Sequence, residues 1–224
     1  MTLIDYPSKV AAIVFTIGCN FRCSFCYNTR LVDPKLFSVS DVITEEEFFS
    51  FLKSRVGKLD AVVITGGEPT LHKDLESFIL KIKEMGFLVK LDTNGTNPEV
   101  IRKLLDKNLV DYIAMDIKND LLGWNYEKIV KVGVDMSLLL ESIKMIMNSD
   151  IDYEFRTTIA PGISKENVLN IARHIHGAKK YYLQKFQDMD VLDNSCKEVN
   201  WLSEDELDDI AKEVRAFVGE CKVR

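Results

Sequence analysis

Ala11-Ala12-Ile13-Val14-Phe15-Thr16-Ile17-Gly18-Cys19-Asn20-Phe21-Arg22-Cys23-Ser24-Phe25-Cys26 is the stretch from which the rest of the chain can be read. Its first half, Ala11–Ile17, is a short continuous apolar run with β-branched residues, the pattern of a strand buried on both faces. Its second half places three cysteines within eight residues, directly after that strand.

The same alternation continues downstream. Thr44 and Glu47 form a capping box ahead of Phe48, Phe49 and Leu52. Ala61–Ile64 reads as the second strand. A helix over about Lys73–Met85 carries Leu75, Phe78, Ile79 and Ile82 on one face and stops at Gly86. Phe87–Leu91 is a third strand, and Asn97-Pro98 opens another helix. Val110–Ile117 and Tyr153–Ile159 are the fourth and fifth strands, separated by a helix around Ser137–Asn148. After a helix near Ser164–His174, Tyr181–Phe186 is the sixth strand. Ser203 and Glu206 cap a last helix, with Leu207, Ile210, Ala211, Val214 and Phe217 on one stripe. Six strands alternating with helices predict an α/β fold with a parallel sheet and right-handed crossovers. We expect one domain over 1–224, with its core over about 8–190 and a C-terminal helix over about 203–219.

In such folds the chemistry gathers at the C-terminal ends of the strands, and the polar motifs fall there. Gly18-Cys19 follows the first strand, Gly66-Gly67-Glu68-Pro69 the second and Asp92-Thr93-Asn94-Gly95 the third. Asp116 and Lys118 end the fourth, Arg156 to Thr158 lie late in the fifth, and Gln184 and Phe186 late in the sixth. Motifs in register at six strand ends point to one shared site.

The chain has 224 residues and a net charge of −6, which argues against bulk binding to nucleic acid or anionic membrane. No apolar run approaches the ~20 residues that a membrane span needs. Lys9 followed by Val10–Ile17 and Gly18-Cys19 faintly mimics a lipoprotein leader, but Asp5 and the β-branched residues speak for a strand. The expected location is the cytoplasm.

The five cysteines are an odd number, which argues against a disulfide framework. Cys19, Cys23 and Cys26 cluster, whereas Cys196 and Cys221 stand apart and read as ordinary thiols. Three thiolates on one loop can ligate a metal centre. Structural zinc wants a fourth ligand, for which His72, His174, His176 or Cys196 would have to serve. A cubane iron–sulfur cluster held by three cysteines instead leaves one iron open. The three histidines form no single metal-like pattern.

The Cys19, Cys23 and Cys26 spacing, with Phe25 before the last cysteine, together with Gly66-Gly67-Glu68-Pro69, resembles the signature of the radical S-adenosylmethionine (SAM) superfamily. The leader Leu3-Ile4-Asp5-Tyr6-Pro7 looks like that of the activating enzymes of glycyl radical enzymes, most of all those of anaerobic ribonucleoside-triphosphate reductase. The resemblance runs from the leader to about Phe186. Tyr27 departs from it, since many such activases carry His there.

The resemblance implies a partial (β/α)6 TIM-like barrel, a 4Fe–4S cluster on Cys19, Cys23 and Cys26, and SAM on its open iron. It implies reductive cleavage of SAM to a 5′-deoxyadenosyl radical, which takes a hydrogen from a glycine of a partner protein, with flavodoxin or ferredoxin as reductant. Gly66 and Gly67 would let backbone approach the ligand, and Glu68 would add an acceptor or hold the loop. Asp92 and Thr93 would bind a monovalent cation or position the SAM carboxylate. Lys118 would partner the carboxylate or ribose, and Asp116 a ribose hydroxyl, unless the two simply form an ion pair. Phe25 would pack on adenine. Arg156, Thr158, Asn94, Pro69 and Gln184 complete the expected cofactor-binding set, with Arg156 also placed to pair with Asp116. Two other readings stand beside this one: a radical SAM enzyme acting on a small molecule, peptide or RNA, and a non-catalytic iron–sulfur or zinc protein.

Overall fold

The computed structural model describes residues 1–33, 36, 38, 42–187, 190–198 and 202–224. The strands are β1 (Ala11–Thr16), β2 (Ala61–Gly66), β3 (Leu88–Thr93), β4 (Tyr112–Asp116), β5 (Asp152–Ile159), β6 (Lys180–Lys185) and β7 (Glu220–Val223). They form one sheet in sequential order, and every neighbouring pair is parallel. A sequential parallel order with no reversal sends all the crossovers to one side of the sheet. The sheet therefore curls, with helices outside and a concave face within. Among the described residues β1 and β7 each pair with one strand only, so the barrel is partial; a single antiparallel bridge, Thr2 to Ala11, covers one end of the β1 edge.

The helices are α1 (Thr29–Val32), α2 (Glu45–Lys53), α3 (Leu75–Glu84), α4 (Pro98–Asp106), α5 (Trp124–Val130), α6 (Met136–Met147), α7 (Lys165–His174) and α8 (Glu204–Val214). The capping boxes expected at Thr44–Glu47 and Ser203–Glu206 are both formed. Asn97 does not cap α4 with its side chain; its amide donates instead to Thr70 Oγ1 at 2.9 Å. The helices pack on the outer face of the sheet in one core that includes Ile64, Leu91, Ile113, Phe155 and Leu183 with Ile79, Ile101, Ile143 and Ile171. Burying each such side chain stabilises the fold by about 1.5–3 kcal/mol. No helix is long and apolar enough to cross a membrane, among the described residues.

All six expected strands are present, and the structure adds β7. The C-terminal helix ends at Val214, not near residue 219, and Phe217 lies beyond it. Gly219 N then bonds Ala178 O at 2.9 Å, and the chain enters β7 alongside β6. Glu220-Cys-Lys-Val is four residues with no apolar run, so periodicity could not reveal it. Helices α1 and α5 are likewise short and without a readable stripe.

On the concave face a small second cluster of Tyr6, Ala11, Ala61, Val63, Tyr112 and Ala114 fills the end nearest the strand starts. The Tyr6 ring lies 5.6 Å from that of Tyr112. The leader thus acts as a plug, and the space above it stays open toward the strand ends.

Candidate active site

A cavity of about 400 Å³ opens at the C-terminal ends of the strands. Alternation of side chains along each strand decides what faces it. Phe15 and Thr65 are register partners on β1 and β2, Asp116 and Arg156 on β4 and β5, and Thr158 and Gln184 on β5 and β6. All of these line the cavity, together with Asp92 of β3. So do Cys19, Cys23, Phe25, Cys26, Gly66, Gly67, Glu68, Thr93, Asn94 and Lys118. Of the expected cofactor-binding set, Pro69 lies outside, and of the other strand-end residues Gly18, Gly95, Thr157 and Phe186 do too. Pro69 is the buried first residue of a 3-10 turn over Pro69–Leu71, where its fixed φ starts the turn.

The cysteine loop is held from several sides. Arg22 Nη1 donates to the carbonyls of Cys19 at 2.6 Å and Phe21 at 2.8 Å. Arg22 N and Ser24 N bond the carbonyls of Val130 and Ile129 at the end of α5. Leu192 N and Asp193 N bond the carbonyls of Cys26 and Ser24. Asn20 exchanges side-chain hydrogen bonds with Asn94 and Thr96, tying the loop to the end of β3. His72 Nε2 lies 3.0 Å from the Ile17 carbonyl just before the loop. Asn20 and Arg22 do not stand out as site residues in the sequence, and His72 does so only as a zinc ligand; their partners here are carbonyls and side chains that only the fold brings near.

Gly66 and Gly67 serve this juxtaposition directly. A Cβ on Gly66, which has φ +111°, would lie 2.4 Å from Thr16 N, and one on Gly67 would lie 1.9 Å from Gly18 O. Gly67 N bonds Thr16 O and Glu68 N bonds Gly18 O, both at 2.8 Å. The glycines thus let the β2 loop lie against the backbone that leads into the cysteines.

Glu68 is 1% exposed and holds the loops rather than offering a free acceptor. It receives Thr70 N at 3.0 Å, Thr70 Oγ1 at 2.5 Å, Thr93 Oγ1 at 2.8 Å and Asn94 N at 2.7 Å. Burial pushes its carboxyl above the ordinary range, and these donors pull the other way.

Across the floor of the cavity runs a chain of charges. Lys90 donates to Asp92 Oδ1, and Arg156 Nη1 to Asp92 Oδ2 at 3.1 Å. Arg156 Nε reaches Asp116 Oδ1 at 2.8 Å, and Lys118 Nζ reaches Asp116 Oδ2 at 3.0 Å. Burial alone would raise the Asp116 carboxyl; Arg156 and then Lys118 outweigh it and hold it well below the usual carboxylate range. Burial would lower the Lys118 ammonium, and Asp116 outweighs it, so that this group is held above its ordinary value. The Lys118 ammonium also lies 5.8 Å from the centre of the Phe25 ring.

The donor chemistry fits an iron–sulfur cluster with one iron left for another ligand. Three thiols line the cavity, whereas Cys196 and Cys221 do not. Among the described residues no three His, Cys, Asp or Glu are set to grip a single metal ion. Burial pushes the Cys23 thiol up to about 12 and the Cys19 thiol in the same direction, so a metal centre must displace their protons. The Phe21 N–H, 3.4 Å from Cys19 Sγ, and the nearby Lys118 ammonium favour the thiolate that would result. His174 bonds the Asn170 carbonyl and His176 packs on Phe217, so both are spent away from the cavity.

The sequence matches the radical SAM superfamily over residues 13–175, which contain all three cysteines and nearly the whole cavity. The chain belongs to this superfamily. It is 34% identical over 232 residues to a "putative glycyl-radical enzyme activating enzyme" of Methanocaldococcus jannaschii, an alignment covering 100% of this chain and 92% of that one. It is 26% identical to the GTP 3',8-cyclase of Helicobacter pylori over 77% of this chain and 52% of the cyclase. Among solved structures it is similar to Streptococcus suis SuiB bound to SAM, with a TM-score of 0.74 at 11% identity. That match takes in 96% of this radical SAM chain and 50% of SuiB, and it speaks for the fold.

Proposed function

We propose that this radical SAM protein is an activating enzyme that forms a glycyl radical on a partner protein. The observation that carries the reading is the similarity to the M. jannaschii protein of that description, which runs the full length of this chain and 92% of its relative. In the proposal Cys19, Cys23 and Cys26 hold a 4Fe–4S cluster. When bound, the cluster and SAM supply reductive cleavage to a 5′-deoxyadenosyl radical that abstracts hydrogen.

The chain's own residues bind and orient. Lys118 and Arg156 present positive charge to the SAM carboxylate, each braced by Asp116. The backbone around Gly66 and Gly67 meets the amino group. Phe25, Asn94, Thr158 and Gln184 face the adenosyl part. Phe15 and Tyr27 line the same cavity and are 50% and 48% exposed, an apolar surface on which a glycine-bearing loop of a partner can rest while water is kept out. A flavodoxin or ferredoxin is the proposed reductant, and the cytoplasm the proposed location.

The GTP 3',8-cyclase relatives favour a second reading, in which a small molecule enters the cavity. Anaerobic reconstitution followed by dithionite and SAM tests both. The activase reading expects 5′-deoxyadenosine and, with a glycyl radical enzyme from the same organism, a glycyl radical signal by paramagnetic resonance. SAM cleavage with no radical on any such partner would transfer the case to the second reading.

A further inference from the structure

Asp92 and Thr93 are the residues at which a monovalent cation was expected, and in the structure their side chains already hold other partners. Both Asp92 oxygens are taken, Oδ1 by Lys90 and Oδ2 by Arg156 at 3.1 Å. Thr93 Oγ1 donates to Glu68 and accepts from Gly95 N. A cation arriving at Asp92 would meet an ammonium and a guanidinium already in place.

Lys90 is the unusual member of this group. It lies two residues before Asp92 on β3, on the same concave face and one layer deeper. It is 1% exposed, and Asp92 is its one acidic partner among the described ion pairs. The Tyr112 ring centre lies 5.7 Å from its ammonium, on the side away from the cavity. A buried lysine is costly unless it is paired, so its place here calls for a reason. The charge count supplies one. Lys90, Arg156 and Lys118 face Asp92 and Asp116, and buried Glu68 behind Thr93 brings the cavity to neutrality. Adding buried Glu154 with its partner Arg224 does not change the sum. Without Lys90 one negative charge would be left over, and Asp92 Oδ1 would lose its cationic partner.

We propose that Lys90 is a tethered cation: its ammonium does at Asp92 what a bound sodium or potassium ion would otherwise do, so this SAM pocket works without either. Lys90 is a positioning residue, acting on the ligand through Asp92 and Arg156. The inference rests on the reading of the cavity as the SAM site, and not on which partner is activated.

The test measures SAM affinity of the reconstituted protein by equilibrium dialysis in sodium, potassium and tetramethylammonium chloride at equal ionic strength. The wild type is expected to bind equally in all three, within about twofold. Lys90→Met keeps the stem and removes the charge. It is expected to bind about tenfold more weakly in tetramethylammonium and to recover with sodium, potassium or methylammonium. A sodium- or potassium-dependent wild type overturns the proposal, as does a folded Lys90→Met protein indifferent to every small cation. Crystals of the wild type grown in rubidium chloride give an independent answer, even if the variant does not fold or the cavity binds no SAM. No anomalous peak is expected at Asp92, and a peak there ends the proposal.

Discussion

Arg156 Nε sits 2.8 Å from Asp116 Oδ1, and the same guanidinium reaches Asp92, so one side chain of β5 joins the charged ends of β3 and β4. The two strands that carry Asp116 and Arg156 place them in register. The pairing therefore costs little ordering beyond what the sheet has already imposed.

The Asp116 carboxyl is held below its unfolded value, and this fixes the sign of its pH dependence. Its contribution to stability is complete above the unfolded carboxylate pKa, about 4. It is lost as pH falls below that point through the lower folded value. Asp116→Asn is expected to cost about 2 kcal/mol at neutral pH, less than for a wholly isolated pair because Arg156 keeps Asp92. In urea unfolding of the metal-free protein, the gap from wild type should close as pH drops below about 4. A gap that stays constant to acid pH would show that the ion pair contributes nothing.

Glu68 is expected to matter first for stability. Four donors converge on it in a buried site, and Glu68→Ala strands them. With buried unpaired groups costing about 1–3 kcal/mol each and partial rescue by water, a loss of about 3 kcal/mol is expected. Urea unfolding measures it, and a loss below about 1 kcal/mol would mean the loops hold without this carboxylate. Cluster content should fall too, because the carboxylate fixes the loop whose backbone N–H bonds the Gly18 carbonyl beside Cys19, and without it that loop is free to shift.

The cysteines divide into two groups. Cys19→Ala, Cys23→Ala and Cys26→Ala should each lose most of the iron and sulfide, expected at about four of each per chain. Cys196→Ala and Cys221→Ala should keep it. Cys221 is 1% exposed on β7, and its thiol, raised to about 12 by burial, marks it as packing rather than chemistry. Iron and sulfide analysis after anaerobic reconstitution decides; loss of cluster in either of the latter two would redraw the ligand set.

The strand ends were legible in the sequence because two simple periods coincide there. A buried run such as Ala61–Ile64 announces a parallel strand, and the polar residues that follow it have nowhere to lie but the open end of the barrel. Which of those residues face one another was not legible. Lys90 lies inside the apolar run Phe87–Leu91, where a single charge reads as an edge or a solvated position. Only closure of the sheet over Tyr112 makes it a buried partner of Asp92. Arg22 escaped because it bonds backbone carbonyls, which carry no sequence signal, and Asn20 because its side-chain partners Asn94 and Thr96 are brought near only by the fold. Strand β7 is too short for any period, and it starts just after Gly219, where an added Cβ would stand 2.9 Å from Lys179 O.

Gly67 gives the sharpest separation between a loop that merely turns and one built to meet its neighbour. In Gly67→Ala the new methyl would stand 1.9 Å from Gly18 O and 2.6 Å from Gly18 C, both backbone atoms. No rotamer relieves such a clash; the β2 loop must withdraw from the segment leading into Cys19. Withdrawal stretches the hydrogen bonds from Gly67 N to Thr16 O and from Glu68 N to Gly18 O. A cost of about 3 kcal/mol or more is expected, with poor retention of the cluster. Gly133→Ala is the control, since its methyl would meet only Glu127 Oε1 at 3.8 Å. That change should stay within about 1 kcal/mol of wild type and reconstitute normally. If both variants fold and load alike, the two loops have slack between them, and close backbone packing is not what sets the cysteines in place.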